Sequence, residues 1–284
     1  MSNSIRSAIS EGARALDAAG VNEARKEATS LMSHALESDR TFVIAHAEDE
    51  LNELRLQTFR SLIKRRAQRE PLQYLTGHQE FYNLDFEVTP DVLIPRAETE
   101  IIVEVALDVC RDERAPFIAD IGTGSGCIVI SLLHELRDAR AMATDLSLKA
   151  LQVAQRNAKR HNVIDRLVLV EADGFAPPRE SHEFSLIVSN PPYVTEHEFA
   201  DLQPEVRDYE PRTALVSGED GLAHIRMLLR AAPPHLQCGG YFIFEIGFGQ
   251  SDAVGRLIDQ ELWSVIEVRK DLQNIPRTFV LRKR

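Results

Sequence analysis

The chain has 284 residues with 33 basic against 44 acidic side chains, and its net charge of −11 argues against a nucleic-acid backbone as its main partner. No apolar run approaches the roughly 18 residues of a membrane span, and the opening MSNSIRSAISEGARALDAAG has no apolar signal core, so a cytoplasmic protein is expected. Cys110, Cys127 and Cys238 lie far apart without C-x-x-C spacing, which argues against a disulfide framework and a zinc site.

Residues 1–76 read as helices. Ile5, Ile9 and Leu16 share one face; so do Ala24, Ala28, Leu31, Met32 and Ala35, and then Leu51, Leu54, Thr58, Leu62 and Ile63. Asn3 and Asn22 fit as N-caps and Gly20 as a helix stop. This stretch holds 11 basic and 11 acidic residues, so residues 77–284, with 22 against 33, carry the whole net charge. Lys64, Arg65 and Arg66, with Arg69 behind them, suit an acidic partner or, more simply, a solvated helix end where positive charge complements the helix dipole. In a linker near 77–95, Tyr82, Leu84, Phe86 and Val88 alternate with other residues as in a short strand or hairpin.

From Phe117 onward strands and helices alternate. Strands are expected at Phe117–Ile121, Arg140–Asp145, Leu167–Glu171, Ser185–Ser189 and Tyr241–Glu245. Helices are expected at Ile128–Leu136, Leu148–His161 (capped by Ser147) and Leu222–Ala232. Trp263–Val268 and Thr278–Leu281 have no helix between them and read as an antiparallel pair at or near a sheet edge. The expected class is α/β: an open, mostly parallel, seven-stranded sheet over 77–284, covered by helices on both faces, with a small helical domain over 1–76.

Three loops at the carboxyl ends of successive strands carry chemistry. Gly122-Thr123-Gly124-Ser125-Gly126, preceded by Asp120, follows an apolar strand and opens a helix. Its glycines let a ligand approach the backbone closely. A dinucleotide fingerprint requires glycine where Cys127 stands, so a pyrophosphate is poorly supported; Asp120 would welcome a cationic amine instead. Asp145 ends the next strand, where a carboxylate can accept both ribose hydroxyls or cap the following helix. That much fits NAD and S-adenosylmethionine equally. Asp173-Gly174-Phe175 offers a carboxylate for an adenine amino group and an apolar neighbour, although D-G is also a plain turn. Together the three point to an adenosine ligand, because open α/β sheets bind ligands at that rim.

A fourth loop, Ser189-Asn190-Pro191-Pro192-Tyr193, decides the chemistry. Pro191 restricts Asn190 to extended backbone, and the proline pair stiffens the loop beyond it. The Asn190 side-chain carbonyl and the Pro191 backbone carbonyl then become two fixed acceptors for one planar NH₂, with Tyr193 as a flat face to stack on it. In isolation N-P-P is also ordinary loop punctuation.

D-x-G-x-G-x-G, the acidic strand end and N-P-P-Y resemble the S-adenosylmethionine-dependent methyltransferases of planar amino nitrogens, and most closely the release-factor glutamine methyltransferase family. Its pattern is also matched by Arg69-Glu70-Pro71-Leu72-Gln73-Tyr74-Leu75-Thr76-Gly77, by Pro95-Arg96-Ala97-Glu98-Thr99-Glu100, and by Glu210-Pro211 leading to Gly218-Glu219-Asp220-Gly221-Leu222. Ala97 departs from it, since the family usually has a second proline there.

The resemblance implies methylation of the glutamine amide in the Gly-Gly-Gln motif of class-1 peptide chain release factors, with S-adenosylhomocysteine as second product and no metal. It implies that Gly122 to Gly126, Asp145, Asp173, Gly174 and Asn190 line the donor, and that Asn190, Pro191, Pro192 and Tyr193 hold the glutamine. The charge split and the change from a helical to an alternating pattern lead to the expectation that residues 1–76 choose the substrate and residues 77–284 perform the chemistry. A ribosomal protein as substrate would use the same active site. A DNA adenine methyltransferase would need a basic groove, and an NAD-dependent dehydrogenase would leave N-P-P-Y without a purpose.

Overall fold

A computed structural model describes residues 4–175 and 183–284, so the expected cap Asn3 lies outside the described residues. The chain divides into two compact units, Met1–His78 with Gln203–Tyr209, and Gln79–Leu202 with Glu210–Arg284.

The first unit is helical: α1 (Ile5–Ala18), α2 (Ala24–Leu36), α3 (Arg40–Ala45), α4 (Glu53–Ala67) and α5 (Leu72–Thr76). Ser4 caps α1 and Asn52 caps α4, each accepting a backbone N–H three residues on. Asn22 is not a cap; the position before α2 is Glu23, in left-handed backbone and without a side-chain cap. Gly20, at φ +72°, follows the end of α1 as expected of a helix stop.

Helix α4 buries Leu56, Phe59, Leu62, Ile63 and Arg66, whereas Leu54 is 72% exposed. The expected face is therefore rotated. Leu51 lies before the Asn52 cap, outside the helix, and cannot set its phase. The basic run is solvated only in part: Lys64 and Arg65 are exposed, but Arg66 is buried and Arg69 half-buried. Buried Arg66 pairs with Glu27 at 2.5 Å and Glu205 at 3.0 Å, Arg69 with Glu205 at 2.8 Å, and Arg65 with Glu70 at 2.5 Å. The segment carrying Glu205 also anchors through the Tyr209 hydroxyl, which donates to the Gln68 carbonyl at 2.8 Å.

The second unit opens with a hairpin of β1 (His78–Phe81) and β2 (Leu84–Glu87), joined through Tyr82 and Asn83 at positive φ. The main sheet comprises β3 (Phe117–Ile121), β4 (Arg140–Asp145), β5 (Leu167–Glu171), β6 (Phe184–Ser189), β7 (Leu236–Glu245), β8 (Trp263–Lys270) and β9 (Pro276–Lys283). Their order is β5-β4-β3-β6-β7-β9-β8. The first five are parallel, and β9 is antiparallel to both β7 and β8, which makes β8 the edge. Strand β7 starts five residues before its expected start at Tyr241. A register shift beside β6 absorbs Gly239 and Gly240.

Helices α6 (Glu100–Val109), α7 (Cys127–Glu135), α8 (Leu148–Arg160), α9 (Glu196–Phe199), α10 (Pro204–Tyr209), α11 (Ala223–Ala231) and α12 (Ser251–Leu257) complete the chain, α10 belonging to the first unit. One core packs Ile102, Val105, Ile130 and Leu132 with Phe81 and Phe86 of the hairpin against the sheet. A second packs Ile225, Leu228, Val254 and Trp263 with Phe242 and Phe244. The sheet thus buries both faces, which is why its central strands are near-continuous apolar runs.

Candidate active site

Strands β4 and β6 flank β3, so the chain's crossover direction reverses there, and loops at the carboxyl ends of the strands open a cleft of about 370 Å³. Gly122, Thr123, Gly124, Ser125, Asp145, Asp173, Gly174, Asn190, Pro191 and Pro192 all line it; Gly126 and Tyr193 do not.

On one side the backbone N–H groups of the glycine loop are tied to strand β4 and to the loop itself. The N–H groups of Gly122 and Thr123 both donate to the Thr144 carbonyl at 2.9 Å. Gly124 N–H donates to Asp145 Oδ2 at 2.9 Å, and Gly126 N–H to the Thr123 carbonyl at 2.8 Å. These amides are therefore committed within the protein, unlike the open nest a phosphate requires. Gly122 and Gly124 have φ of +75° and +55°, and a Cβ on either would point into open space. That cradle fits a bulky ligand lying across the glycines. Gly126 instead faces inward, where a Cβ would come within 2.7 Å of Ile130 Cδ1.

Asp145 Oδ1 accepts from Ser147 N–H at 2.8 Å, while Ser147 itself caps α8 as expected. Each Asp145 oxygen thus accepts one backbone N–H and retains a second lone pair, enough for a ribose diol. Exposed Leu146 beside it adds an apolar wall. Gly174 is held by Thr144 Oγ1, which donates to its carbonyl at 2.7 Å.

Two expectations change here. Asp120 is fully buried and does not line the cleft: its Oδ2 accepts from Thr123 Oγ1 at 2.7 Å, and burial pushes its carboxyl up to about 7, so it is no open site for an amine. Phe175 stacks on His235 at 4.9 Å and packs with the second core instead of the cleft.

The other side of the cleft is built from side chains. Asn190 Nδ2 donates to Thr99 Oγ1 at 3.0 Å, and Thr99 Oγ1 donates to Glu245 Oε2 at 2.7 Å. Among the described residues no donor bonds Asn190 Oδ1 or the Pro191 carbonyl. Burial beside the Glu245 carboxylate pushes the Tyr193 phenol above its ordinary range, and its ring sits against Gly247. The stacking face expected of Tyr193 is therefore turned toward an internal anchor.

Gln250, which no local pattern signalled, and residues of the segments 95–100 and 210–222 complete this side. Gln250 Nε2 donates to the Tyr193 carbonyl at 2.9 Å, and a Cβ on Gly221 would lie 2.3 Å from that same oxygen. Glu210 holds Arg96 at 2.5 Å and the Ile94 N–H at 3.1 Å, which sets the short helical turn Ala97–Thr99. Ala97 begins that turn without proline.

The sequence matches the PrmC N-terminal domain over residues 7–77 and the methyltransferase small domain over 99–205. A solved methyltransferase structure from Pyrococcus furiosus shares the fold, with a TM-score of 0.51 at 19% identity over 72% of this chain and 90% of that one. Fold, glycine cradle and domain match together define an S-adenosylmethionine-dependent methyltransferase. The release factor glutamine methyltransferase of Geobacter sulfurreducens is 47% identical over 83% of this chain and 81% of its own length. That of Koribacter versatilis is 38% identical over 98% of each. The chain belongs to the release factor glutamine methyltransferase family.

Proposed function

We propose that the protein methylates the side-chain amide nitrogen of the glutamine in the Gly-Gly-Gln motif of class-1 peptide chain release factors. The observation that carries this reading is the pair of acceptors, Asn190 Oδ1 and the Pro191 carbonyl, left without a donor among the described residues on a cleft that also holds the glycine cradle. A primary amide has two N–H groups to give them.

Gly122, Thr123, Gly124 and Ser125 would cradle S-adenosylmethionine from below, with Gly126 supporting the loop. Asp145 would take the ribose hydroxyls, Asp173 and Gly174 the adenine edge. When bound, the donor supplies a methyl group on a positively charged sulfur. An amide nitrogen is a poor nucleophile because its lone pair is delocalised, so the chain's work is orientation. Two fixed acceptors aim the nitrogen and strengthen as positive charge develops on it; such proximity is worth up to about 7–11 kcal/mol when geometry is near attack. Pro192 stiffens the loop, and Tyr193 anchors it beside Glu245.

Residues 1–76 would then choose the protein substrate and 77–284 perform the chemistry, in the cytoplasm and without direct nucleic-acid contact. Among the described residues no helix is long and apolar enough to cross a membrane. The test is transfer of labelled methyl to purified release factor and to ribosomal proteins, side by side. Label on the release-factor glutamine supports the reading, and label on ribosomal proteins alone overturns it.

A further inference from the structure

We infer that Thr99 and Glu245 are positioning residues that decide which edge of the Asn190 amide faces the cleft. The inference rests on the proposed reading of Asn190 as an acceptor for the substrate amide, and extends it to residues outside N-P-P-Y.

An asparagine amide has two edges of nearly equal shape and opposite chemistry. Rotated by 180°, Asn190 would present two N–H donors to a substrate NH₂, and neither could bond the other. Packing alone distinguishes the two orientations poorly. Hydrogen bonding does so sharply, provided that the group behind the amide offers only one polarity.

Thr99 meets that condition. A threonine hydroxyl has a single proton, and here Thr99 Oγ1 donates it to Glu245 Oε2 at 2.7 Å. What remains for Asn190 is a lone pair, which only its NH₂ edge can use, at 3.0 Å. Thr99 and Glu245 are each 2% exposed, which leaves water little access as a substitute partner. The polarity therefore passes in one direction, from carboxylate through hydroxyl to amide, and leaves Asn190 Oδ1 toward the cleft. The three residues come from the turn before α6, the loop after β6 and the end of β7.

The source of that polarity is an ionised Glu245, which can only accept. It faces the Thr99 and Tyr193 hydroxyls, is attracted by Arg277 and repelled by Glu98, and influences the Cys127 thiol; Arg96 and Arg277 act on Tyr193. Burial pushes the Glu245 carboxyl up to about 7. Once protonated, Glu245 can donate to Thr99, whose own proton is then released to turn against Asn190. Methyl transfer should accordingly fall as pH drops through about 7.

The experiment is single-turnover methyl transfer on the full chain, with donor and release factor saturating, across a pH series. Thr99→Val should lower the rate about tenfold with donor and release-factor affinities unchanged. Thr99→Ser should restore it, since it keeps the hydroxyl. Glu245→Gln should lose the pH step near 7 whatever its absolute rate, because it has no proton to take up. A parent rate in Thr99→Val, or equal losses in Thr99→Val and Thr99→Ser, would overturn the inference. So would a pH step that persists in Glu245→Gln. Asn190→Ala run in parallel separates the two levels. If it is inactive while Thr99→Val is fully active, only this inference fails; if it is fully active, the reading beneath it fails as well.

Discussion

Gly122, Thr123 and Gly124 fix the donor side of the cleft through backbone hydrogen bonds, whereas Asn190 fixes the acceptor side through a side chain resting on Thr99 and Glu245. A cradle held mainly by backbone groups is set by the fold. A side-chain relay depends on single atoms and on the charge of the carboxylate at its end. Damage on the first side should appear as lost affinity. On the second it should appear as lost rate.

The largest effect is expected at Asn190. Removing one positioned hydrogen bond of this kind typically costs about 10²–10³ in rate. Asn190→Ala should show that loss in single-turnover methyl transfer while release-factor binding, measured separately, is nearly unchanged. Asn190→Asp keeps an acceptor and should fall between Ala and the parent. A fully active Asn190→Ala would reduce the N-P-P-Y loop to a rigid turn and erase the distinction between the two sides.

Asp145→Ala should come next, with its effect on binding instead of rate. A single charge-assisted hydrogen bond contributes about 1.5–3 kcal/mol, so loss of the carboxylate should lower donor affinity at least tenfold by calorimetry. The rate with donor saturating should change far less. Unchanged affinity in a folded variant would remove Asp145 from the donor site.

The finest test uses two buried carboxyls that burial pushes up to about 7, Asp120 under the glycine loop and Glu245 under Asn190. A carboxyl raised in the fold holds a proton that the unfolded chain has released, so each destabilises the fold progressively as pH climbs from about 4 to about 7. Asp120→Asn should therefore gain melting temperature relative to the parent between pH 4 and pH 8, by a few degrees at most. Its pH–rate profile should keep the parent's shape, because Asp120 bonds Thr123 and not the acceptor relay. A changed profile in Asp120→Asn would mean that the two sides of the cleft share one titration.

How much of the molecule could be read from the sequence depended on how local each signal was. Strands β3, β4 and β5 begin and end where the apolar runs placed them; β3 and most of β4 are buried on both faces, and even the edge strand β5 is a short apolar run. The glycine loop, Asp145 and N-P-P-Y each lie within a few residues of a strand end, and such spacing survives in one dimension. Thr99 and Glu245 do not have that property. Their hydrogen bonds join positions 91 and 146 residues apart, so although Thr99 stands within the segment 95–100, nothing local announces its partners, and Glu245 carries no pattern at all. Arg66 escaped for the same reason: a basic run at a helix end reads as solvated until Glu27 and Glu205 arrive from elsewhere. Helix α6 has a polar stripe of Glu100, Glu104 and Asp108, but Thr99 before it makes no side-chain cap, so its start carries no local signal.

That arginine gives the helical unit an unusual schedule of assembly. Glu27 is already present when Arg66 is made, but Glu205 lies 139 residues further along the chain. At roughly 5–20 residues per second, a ribosome needs on the order of ten seconds to reach it. Throughout that interval the earliest-made helices carry a guanidinium provided with one of its two carboxylates, and Arg69 waits for the same residue. The part of the protein synthesised first is thus among the later ones to be finished, closed by a segment that is translated only after Asn190 itself.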